Sequence, residues 1–76
     1  MKVTDRADLC TLFGARLRML RLEKGLSPEE FYRKSNVDPA NLRKYESGNR
    51  EPGLVIIEIM AKALEVPTWE LLNFEL

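Results

Sequence analysis

Several residue types and motifs that support catalysis or metal binding are absent from this sequence. Its 76 residues include no histidine and a single cysteine, Cys10. One cysteine cannot form an internal disulfide, and without a histidine or a second cysteine it has no partners for a zinc site. The chain also lacks a glycine-rich phosphate-binding motif and a pair of carboxylates spaced for general acid–base chemistry. We therefore expect no enzymatic activity, no metal and no cofactor.

Long apolar runs are also missing. No stretch approaches the roughly 20 apolar residues of a membrane-spanning helix, and Met1–Thr11 lacks the apolar core of a signal peptide. We expect a cytoplasmic protein with no membrane contact, in which Cys10 is a small apolar side chain, buried or half-buried. Repeats, linkers and low-complexity segments are absent too, so we expect residues 1–76 to form one domain. No motif indicates a small-molecule effector.

Charge of one sign is not in excess, because 12 Lys and Arg balance 12 Asp and Glu. A neutral total argues against nucleic-acid binding, for which a basic footprint is expected. The distribution is uneven, however. Residues 1–50 contain eleven basic and seven acidic side chains, a net of +4, whereas residues 51–76 contain one and five, a net of −4. A folded domain with this asymmetry can present a basic face at one end and an acidic face at the other.

The clearest local pattern lies between Ser27 and Arg50. Ser27 precedes a proline and two glutamates, which is the composition of a helix N-cap and first turn. That helix stops near Asn36, a residue type that tolerates a left-handed backbone. Asp38 followed by proline repeats the start signal, and a second helix runs to about Glu46. Two short helices joined by a tight turn over residues 27–47 are typical of a DNA-binding helix-turn-helix.

Helical patterns on either side complete an all-α chain of five helices. We expect Met1 to about Asp8 to be frayed, a first helix over Asp8–Lys24, a fourth over Leu54–Glu65 and a short fifth from Trp69. The first helix has two apolar stripes. One is a core face formed by Leu9, Phe13, Leu17 and Leu20. The other, formed by Leu12, Ala15, Met19 and Leu22, is a wide buried surface, a set of scattered exposed apolar residues, or a protein contact.

The third helix separates clearly into two faces at about 100° per residue. Leu42 and Tyr45, with Val37 before the helix, should face the core. The opposite, outward face comprises Ala40, Arg43, Lys44 and Ser47, with Asn41 on the flank. Glu46 leans back toward the core side, where it would need a partner, and Arg21 in the first helix is the candidate.

A set of landmarks between Phe13 and Leu72 occurs in a recognisable order and spacing. They are Arg16-Leu17-Arg18, Arg21, Lys24-Gly25-Leu26-Ser27, Tyr45-Glu46-Ser47-Gly48, Pro52 and Ala61-Lys62-Ala63-Leu64. Together they resemble the lambda-repressor/Cro-type helix-turn-helix family, often called XRE-like. The resemblance implies a compact five-helix DNA-binding domain with helix three in the major groove, and a structural ion pair between Arg21 and Glu46. The chain departs from the family at Asn36 and Glu65, where glycines are usual.

The resemblance also implies a DNA-binding surface. Its base-reading positions match Ala40, Asn41, Arg43 and Lys44, and its phosphate-contacting rim matches Ser27, Arg33, Asn49 and Arg50. Ser27 would offer a hydroxyl and free backbone N–H groups at a helix N-terminus. The alternative is that Ser27 only caps its helix and the basic side chains form a solvated face. Asp38, which repels phosphate, and Pro39, which lacks a donor, oppose DNA binding.

The end of the chain has more large apolar side chains than a domain of this size can bury. They are Val55, Ile59, Trp69, Leu72 and Phe74. We therefore expect a homodimer through residues 54–74, the fourth and fifth helices. Our hypothesis is a DNA-binding transcriptional regulator, of repressor or restriction–modification controller type, on a short inverted repeat of double-stranded DNA. The alternative is a protein-interaction module or antitoxin that has the same fold and weak or no DNA binding.

Overall fold

A computed structural model describes residues 5–75, and these residues form four α-helices and one short 3-10 helix without any β-strand. The elements, in chain order, are α1 (Arg6–Glu23), α2 (Pro28–Ser35), α3 (Pro39–Glu46), α4 (Leu54–Ala63) and the 3-10 helix (Thr68–Leu72). The all-α fold class predicted from the sequence is confirmed.

The first helix begins earlier than the sequence indicated. The Asp5 side chain caps α1 by accepting a hydrogen bond from the backbone N–H of Asp8, at 3.0 Å. The predicted frayed segment is therefore wrong over residues 5–8, because this cap stabilises the first turn. The remainder of that prediction, Met1–Thr4, lies outside the described residues.

The fifth helix has the predicted position but a different geometry. Its five residues form a 3-10 helix, in which the Glu70 N–H donates to the Pro67 carbonyl at 3.0 Å. A segment this short gains little from α-helical hydrogen bonding, and the tighter 3-10 turn is common in such connections. The fourth helix ends two residues early, at Ala63, because Glu65 adopts a left-handed backbone with φ of 59°. Asn36 adopts the same conformation after α2, with φ of 62°.

One apolar core joins all five elements. Its buried members are Phe13, Leu17, Leu20, Phe31, Val37, Leu42, Tyr45, Ile57, Met60, Ala61, Ala63, Leu64 and Leu71. Leu9 was predicted to belong to this core but is 38% exposed, since it lies at an open groove beside Leu72 and Phe74. The second stripe of α1 is not a buried surface, because Met19 and Leu22 are exposed. Cys10 is buried, as expected for a small apolar side chain.

The contact between α1 and the end of α3 is unusually close. A Cβ atom at Gly14 would lie 2.5 Å from the carbonyl oxygens of both Tyr45 and Glu46. Just beyond α3, Gly48 has φ of +80°, and a Cβ there would lie 3.0 Å from the Thr11 Cα. Two glycines therefore let the backbone of α1 approach the C-terminus of α3 without intervening side chains.

A buried ion pair also joins α1 to the last turn of α3. The Arg21 Nε donates to Glu46 Oε2 at 2.7 Å and its Nη2 donates to Glu46 Oε1 at 3.1 Å. The Arg21 Nη1 also donates to the Leu26 carbonyl at 2.8 Å. Both charged side chains are less than a tenth exposed. The pairing of Arg21 with Glu46 that was expected from the sequence is thus present, and it ties α3 to α1 and to the loop before α2.

Gly14→Ala should lower the free energy of unfolding by about 2 kcal/mol. The added methyl group would meet two backbone carbonyl oxygens of α3, which cannot rotate away as a side chain can. Helix propensity acts in the opposite direction, because alanine is favoured over glycine inside a helix by about 1 kcal/mol. Urea unfolding followed by circular dichroism measures the difference.

The neighbouring substitution Ala15→Gly provides the matched control. Ala15 is exposed on α1, so its replacement should cost about 1 kcal/mol through helix propensity alone. If Gly14→Ala instead stabilised the protein by a similar amount, the close approach of α1 to α3 would be contradicted.

Candidate nucleic-acid interface

The outward face of α3 is polar, basic and free of the core. Ala40, Arg43, Lys44 and Ser47 are all exposed, while Leu42 and Tyr45 on the opposite side are buried. This division of the helix agrees with the one predicted from its periodicity. The outward side chains line one shallow depression together with Asn49. The Asn49 backbone N–H donates a hydrogen bond to the Lys44 carbonyl at 2.9 Å. The structure therefore brings Ala40, Arg43, Lys44 and Asn49 together on one surface.

The N-terminus of α3 is held by a carboxylate. Asp38 Oδ1 accepts a hydrogen bond from the Asn41 backbone N–H at 2.8 Å, and Asp38 Oδ2 lies 3.4 Å from the Asn41 amide nitrogen. Pro39 occupies the first helical position, where its missing N–H costs nothing. Asp38 therefore places a negative charge at the start of the candidate recognition helix, as the sequence indicated.

Arg50 provides a positive charge beside α3. The sequence resemblance had assigned it only to the phosphate-contacting rim. Its guanidinium donates to the Asn41 side-chain oxygen and lies over the Tyr45 ring, 6.0 Å from the ring centre. Asn41 thus connects Asp38 to Arg50, and its amide is engaged on both sides. The spacing of Asp38 and Asn41 could have suggested their contact, but no sequence signal predicts where a loop arginine folds back.

Ser27 forms two hydrogen bonds with Glu30 at the start of α2. The Ser27 hydroxyl accepts a hydrogen bond from the Glu30 N–H at 3.1 Å, and the Ser27 N–H donates to Glu30 Oε1 at 2.8 Å. This reciprocal capping box occupies the backbone N–H groups of Ser27 and Glu30, so fewer N–H groups at this terminus are available to a phosphate than the sequence suggested. The sequence does contain the signal, a serine followed three residues later by glutamate. Pro28 has no N–H, which leaves the Glu29 amide as the remaining donor of the first turn.

The capping box also lowers the pKa of the Glu30 carboxyl group. The hydrogen bond from the Ser27 backbone N–H, followed by that of the Ser27 side chain, lowers the pKa of Glu30 below its ordinary value of 4.5. Arg33 and Lys34, which lie on the same helix and are exposed, lower this pKa further through their charge. Arg33 has no part in the depression beside α3.

A separate apolar surface lies on α4 and the 3-10 helix. Val55, Trp69 and Leu72 are 71%, 61% and 48% exposed, and Ile59 and Phe74 are half-buried. Leu54, which is not among the residues predicted for the dimer contact, is 82% exposed. Phe74 and Leu72 also line a groove of about 410 Å³ together with Leu9, Cys10, Phe13 and Ile57. The five side chains predicted for a dimer contact are thus all at least partly accessible.

A helix-turn-helix whose second helix presents a basic, outward face defines the class of helix-turn-helix DNA-binding proteins. A family model described as Helix-turn-helix matches residues 17–71. The chain belongs to this family, in its lambda-repressor/Cro (XRE-like) branch, whose members bind double-stranded DNA.

Individual relatives agree with this assignment. An uncharacterized HTH-type transcriptional regulator, y4dJ of Sinorhizobium fredii, is 35% identical over 66 residues, which are 87% of this chain and 86% of the relative. The restriction-modification controller protein C.AhdI from Aeromonas hydrophila superposes with a TM-score of 0.78 at 40% identity, over 82% of this chain and 94% of C.AhdI. The clp gene regulator ClgR of C. glutamicum superposes with a TM-score of 0.79 at 30% identity, over 84% of this chain and 83% of ClgR.

The protein is a transcriptional regulator with a helix-turn-helix DNA-binding fold, and it is not an enzyme. None of the helices between residues 5 and 75 combines the length and apolarity that crossing a membrane requires.

Glu30→Gln should make the protein less stable at neutral pH but not in acid. A carboxyl whose pKa is lowered by folding stabilises the native state above its unfolded pKa, here near 4.5, and this stabilisation is lost as the pH falls through the folded value. Glutamine keeps the acceptor for the Ser27 N–H but does not titrate. Thermal unfolding of both proteins across this range is the measurement. A difference in stability that is the same at neutral and acid pH would contradict the assigned cause.

Proposed function

We propose that the protein is a sequence-specific transcriptional regulator that binds a short inverted repeat of double-stranded DNA as a homodimer. The observation that carries the proposal is the outward face of α3, where Arg43 and Lys44 stand clear of the core beside Asn49. An α-helix fits the major groove of B-DNA, and such a face can meet the edges of the bases there. A DNA-binding protein of this family acts on DNA in the cytoplasm, which is where we place it.

Each exposed group of this face has a chemically suitable target. Arg43 and Lys44 can donate to O6 and N7 of guanine, and the Ala40 methyl group can contact the methyl group of thymine. Asn49 and Arg50, which are exposed in the loop that follows α3, are the candidates for phosphate contacts on one side of the groove. On α2, Arg33 and the hydroxyl of Ser27 are the candidates for the other side.

Asn41 has a different part in this proposal. Base reading would require its side chain to give up the hydrogen bonds that link it to Asp38 and Arg50. We assign it instead to holding Arg50 beside α3, which also brings a positive charge near the Asp38 carboxylate. This arrangement offsets the repulsion that Asp38 would otherwise exert on a DNA phosphate.

The homodimer is supported by the exposed apolar surface on α4 and the 3-10 helix. Val55 and Ile59 are one turn apart on α4, where Val55 is 71% exposed and Ile59 half-buried. The 3-10 helix, which packs against α4, presents Trp69 and Leu72. Burying such a group of aliphatic and aromatic side chains against a second copy removes apolar area from water. The resemblance to C.AhdI supports a regulator of the restriction–modification controller type. A repressor of the same fold would also need a homodimer to bind an inverted repeat.

The test is selection of binding sites from a randomised duplex pool, carried out at two salt concentrations with the wild type and an Arg43→Ala/Lys44→Ala variant. The wild type should enrich an inverted repeat, and its log affinity should fall against log salt by about 0.9 per neutralised phosphate. The double variant should lose enrichment, because the groups that meet base edges are gone.

The variant Lys24→Ala/Lys62→Ala is the control for this experiment. Both lysines are exposed and lie outside α3, so the same loss of two charges should leave the selected sequence unchanged. Absence of an enriched repeat with the wild type, or residual binding that the Arg43/Lys44 variant shares, would contradict the proposal.

A protein-interaction module with the same fold, an antitoxin among them, is the second candidate. The Asp38 carboxylate at the start of α3 and the zero net charge favour it, since both reduce attraction to DNA. The salt dependence decides between the two functions, because a protein contact of this kind does not release the counterions of DNA.

Trp69→Ala should weaken the homodimer by about tenfold or more while leaving the monomer folded. Exposed aromatic side chains at the centre of an interface often dominate its affinity, whereas replacing a 61% exposed side chain changes the monomer's stability little. Sedimentation equilibrium gives the dimer dissociation constant. Leu22→Ala, at an exposed apolar side chain of α1, is the control and should not change it. An unchanged constant for Trp69→Ala would place the interface elsewhere.

A further inference from the structure

Arg16 makes the most direct polar connection between α1 and the 3-10 helix. Its Nε donates to the Glu70 backbone carbonyl at 2.8 Å, and its Nη2 pairs with the Glu70 carboxylate. The Arg16 side chain is only 15% exposed and that of Glu70 26%. A planar guanidinium that binds one residue at two points fixes both the position and the orientation of that residue.

The 3-10 helix needs such a connection. It has five residues, no side-chain cap, and one fully buried side chain, Leu71. A helix this short is not stable by itself, so its orientation depends on its packing against α1 and α4. The two bonds from Arg16 to Glu70 add a directional polar attachment to this packing, at the residue between Trp69 and the buried Leu71. They therefore constrain the direction in which Trp69 and Leu72 project from the surface.

The same α-helix holds α3. Gly14 allows α1 to touch the C-terminus of α3, and Arg21 pairs with Glu46 at the same contact. Along α1, Arg16 precedes Arg21 by five residues, a rise of about 7.5 Å. One rigid helix therefore holds the candidate recognition helix and the Trp69-bearing 3-10 helix at points little more than one turn apart.

We propose that Arg16 is a positioning residue through which α1 sets the distance between the two recognition helices of a homodimer, and hence the half-site spacing that the protein accepts. This inference rests on the proposed dimeric binding of an inverted repeat. Two recognition helices of such a dimer meet DNA about 34 Å apart, and each added base pair moves a half-site by about 3.4 Å and rotates it around the duplex. A rigid connection rejects the shifted sites, and a loosened one tolerates them.

The experiment compares wild type, Arg16→Gln and Arg6→Gln on a series of DNA duplexes. The series contains the selected inverted repeat with its spacer shortened or lengthened by one or two base pairs, together with a single half-site. Arg6→Gln removes the same charge from the same helix, at an exposed pair with Glu51 that should contribute little. Protein is kept above its dimer dissociation constant, as measured by sedimentation, so that spacing and not assembly is compared.

We expect the wild type and Arg6→Gln to bind the best spacing about tenfold or more tightly than the next, and Arg16→Gln to reduce this ratio to about threefold or less. Half-site affinity should agree within about twofold among the three proteins, which a general loss of folding would not allow. If Arg16→Gln does not fold, Glu70→Gln takes its place, since it keeps the bond to the backbone carbonyl and removes the charge.

If a folded Arg16→Gln variant kept the spacing preference of the wild type, the role of Arg16 would be contradicted, while the proposed dimeric function would stand. A half-site affinity that falls as much as the affinity for the full repeat would also contradict this role, because Arg16 would then act on the fold of the monomer. A wild type that shows no preference for two half-sites over one would overturn the proposed dimeric function, and the inference with it.

Discussion

The contact between Arg21 and Glu46 is the constraint on which the position of the candidate recognition helix depends. Glu46 is in the last turn of α3, where the negative end of the helix dipole disfavours a carboxylate, and its side chain is 9% exposed. Arg21 compensates through two hydrogen bonds to Glu46 and a third to the Leu26 carbonyl. Leaving either charge unpaired in such surroundings costs roughly 3–5 kcal/mol, which is a large fraction of a small domain's stability. Gly14 places the backbones close enough for this pair to form.

Polar groups at the ends of the helices are engaged within the protein. Ser27 and Glu30 satisfy one another at the start of α2, and Asp38 satisfies the N–H of Asn41 at the start of α3. Helix termini have orphan donors that must be bonded whether or not a ligand is present. These internal bonds make the same groups less available to an external ligand. In the proposed interface, the charge is therefore concentrated in long side chains such as Arg43 and Lys44, which make no ion pair within the described residues.

Helical periodicity could be read from the sequence, whereas the Asp5 cap of α1 and most contacts between separate elements could not. The outward face of α3 and the core side chains Leu42 and Tyr45 follow from helical periodicity, because burial of one face is what selects that periodicity. Leu9 fits the same kind of pattern on α1 and is nevertheless exposed, since burial depends on what packs opposite. The earlier start of α1 depends on a single cap at Asp5. The contact of Arg50 with Asn41 joins residues from separate elements, and no spacing rule links them.

The sequence by itself determined the all-α class, the helix-turn-helix between residues 27 and 47, the polarity of each face of α3 and the pairing expected for Arg21 with Glu46. These features rest on caps, periodicity and a spaced set of landmarks, which are properties of neighbouring residues. Only the tertiary structure decided that the stripe with Met19 and Leu22 is exposed and that Arg50 folds back onto Asn41. It also decided that Arg16 holds the 3-10 helix. Each of these features depends on how separate elements pack together. Their side chains come into contact only in the folded chain.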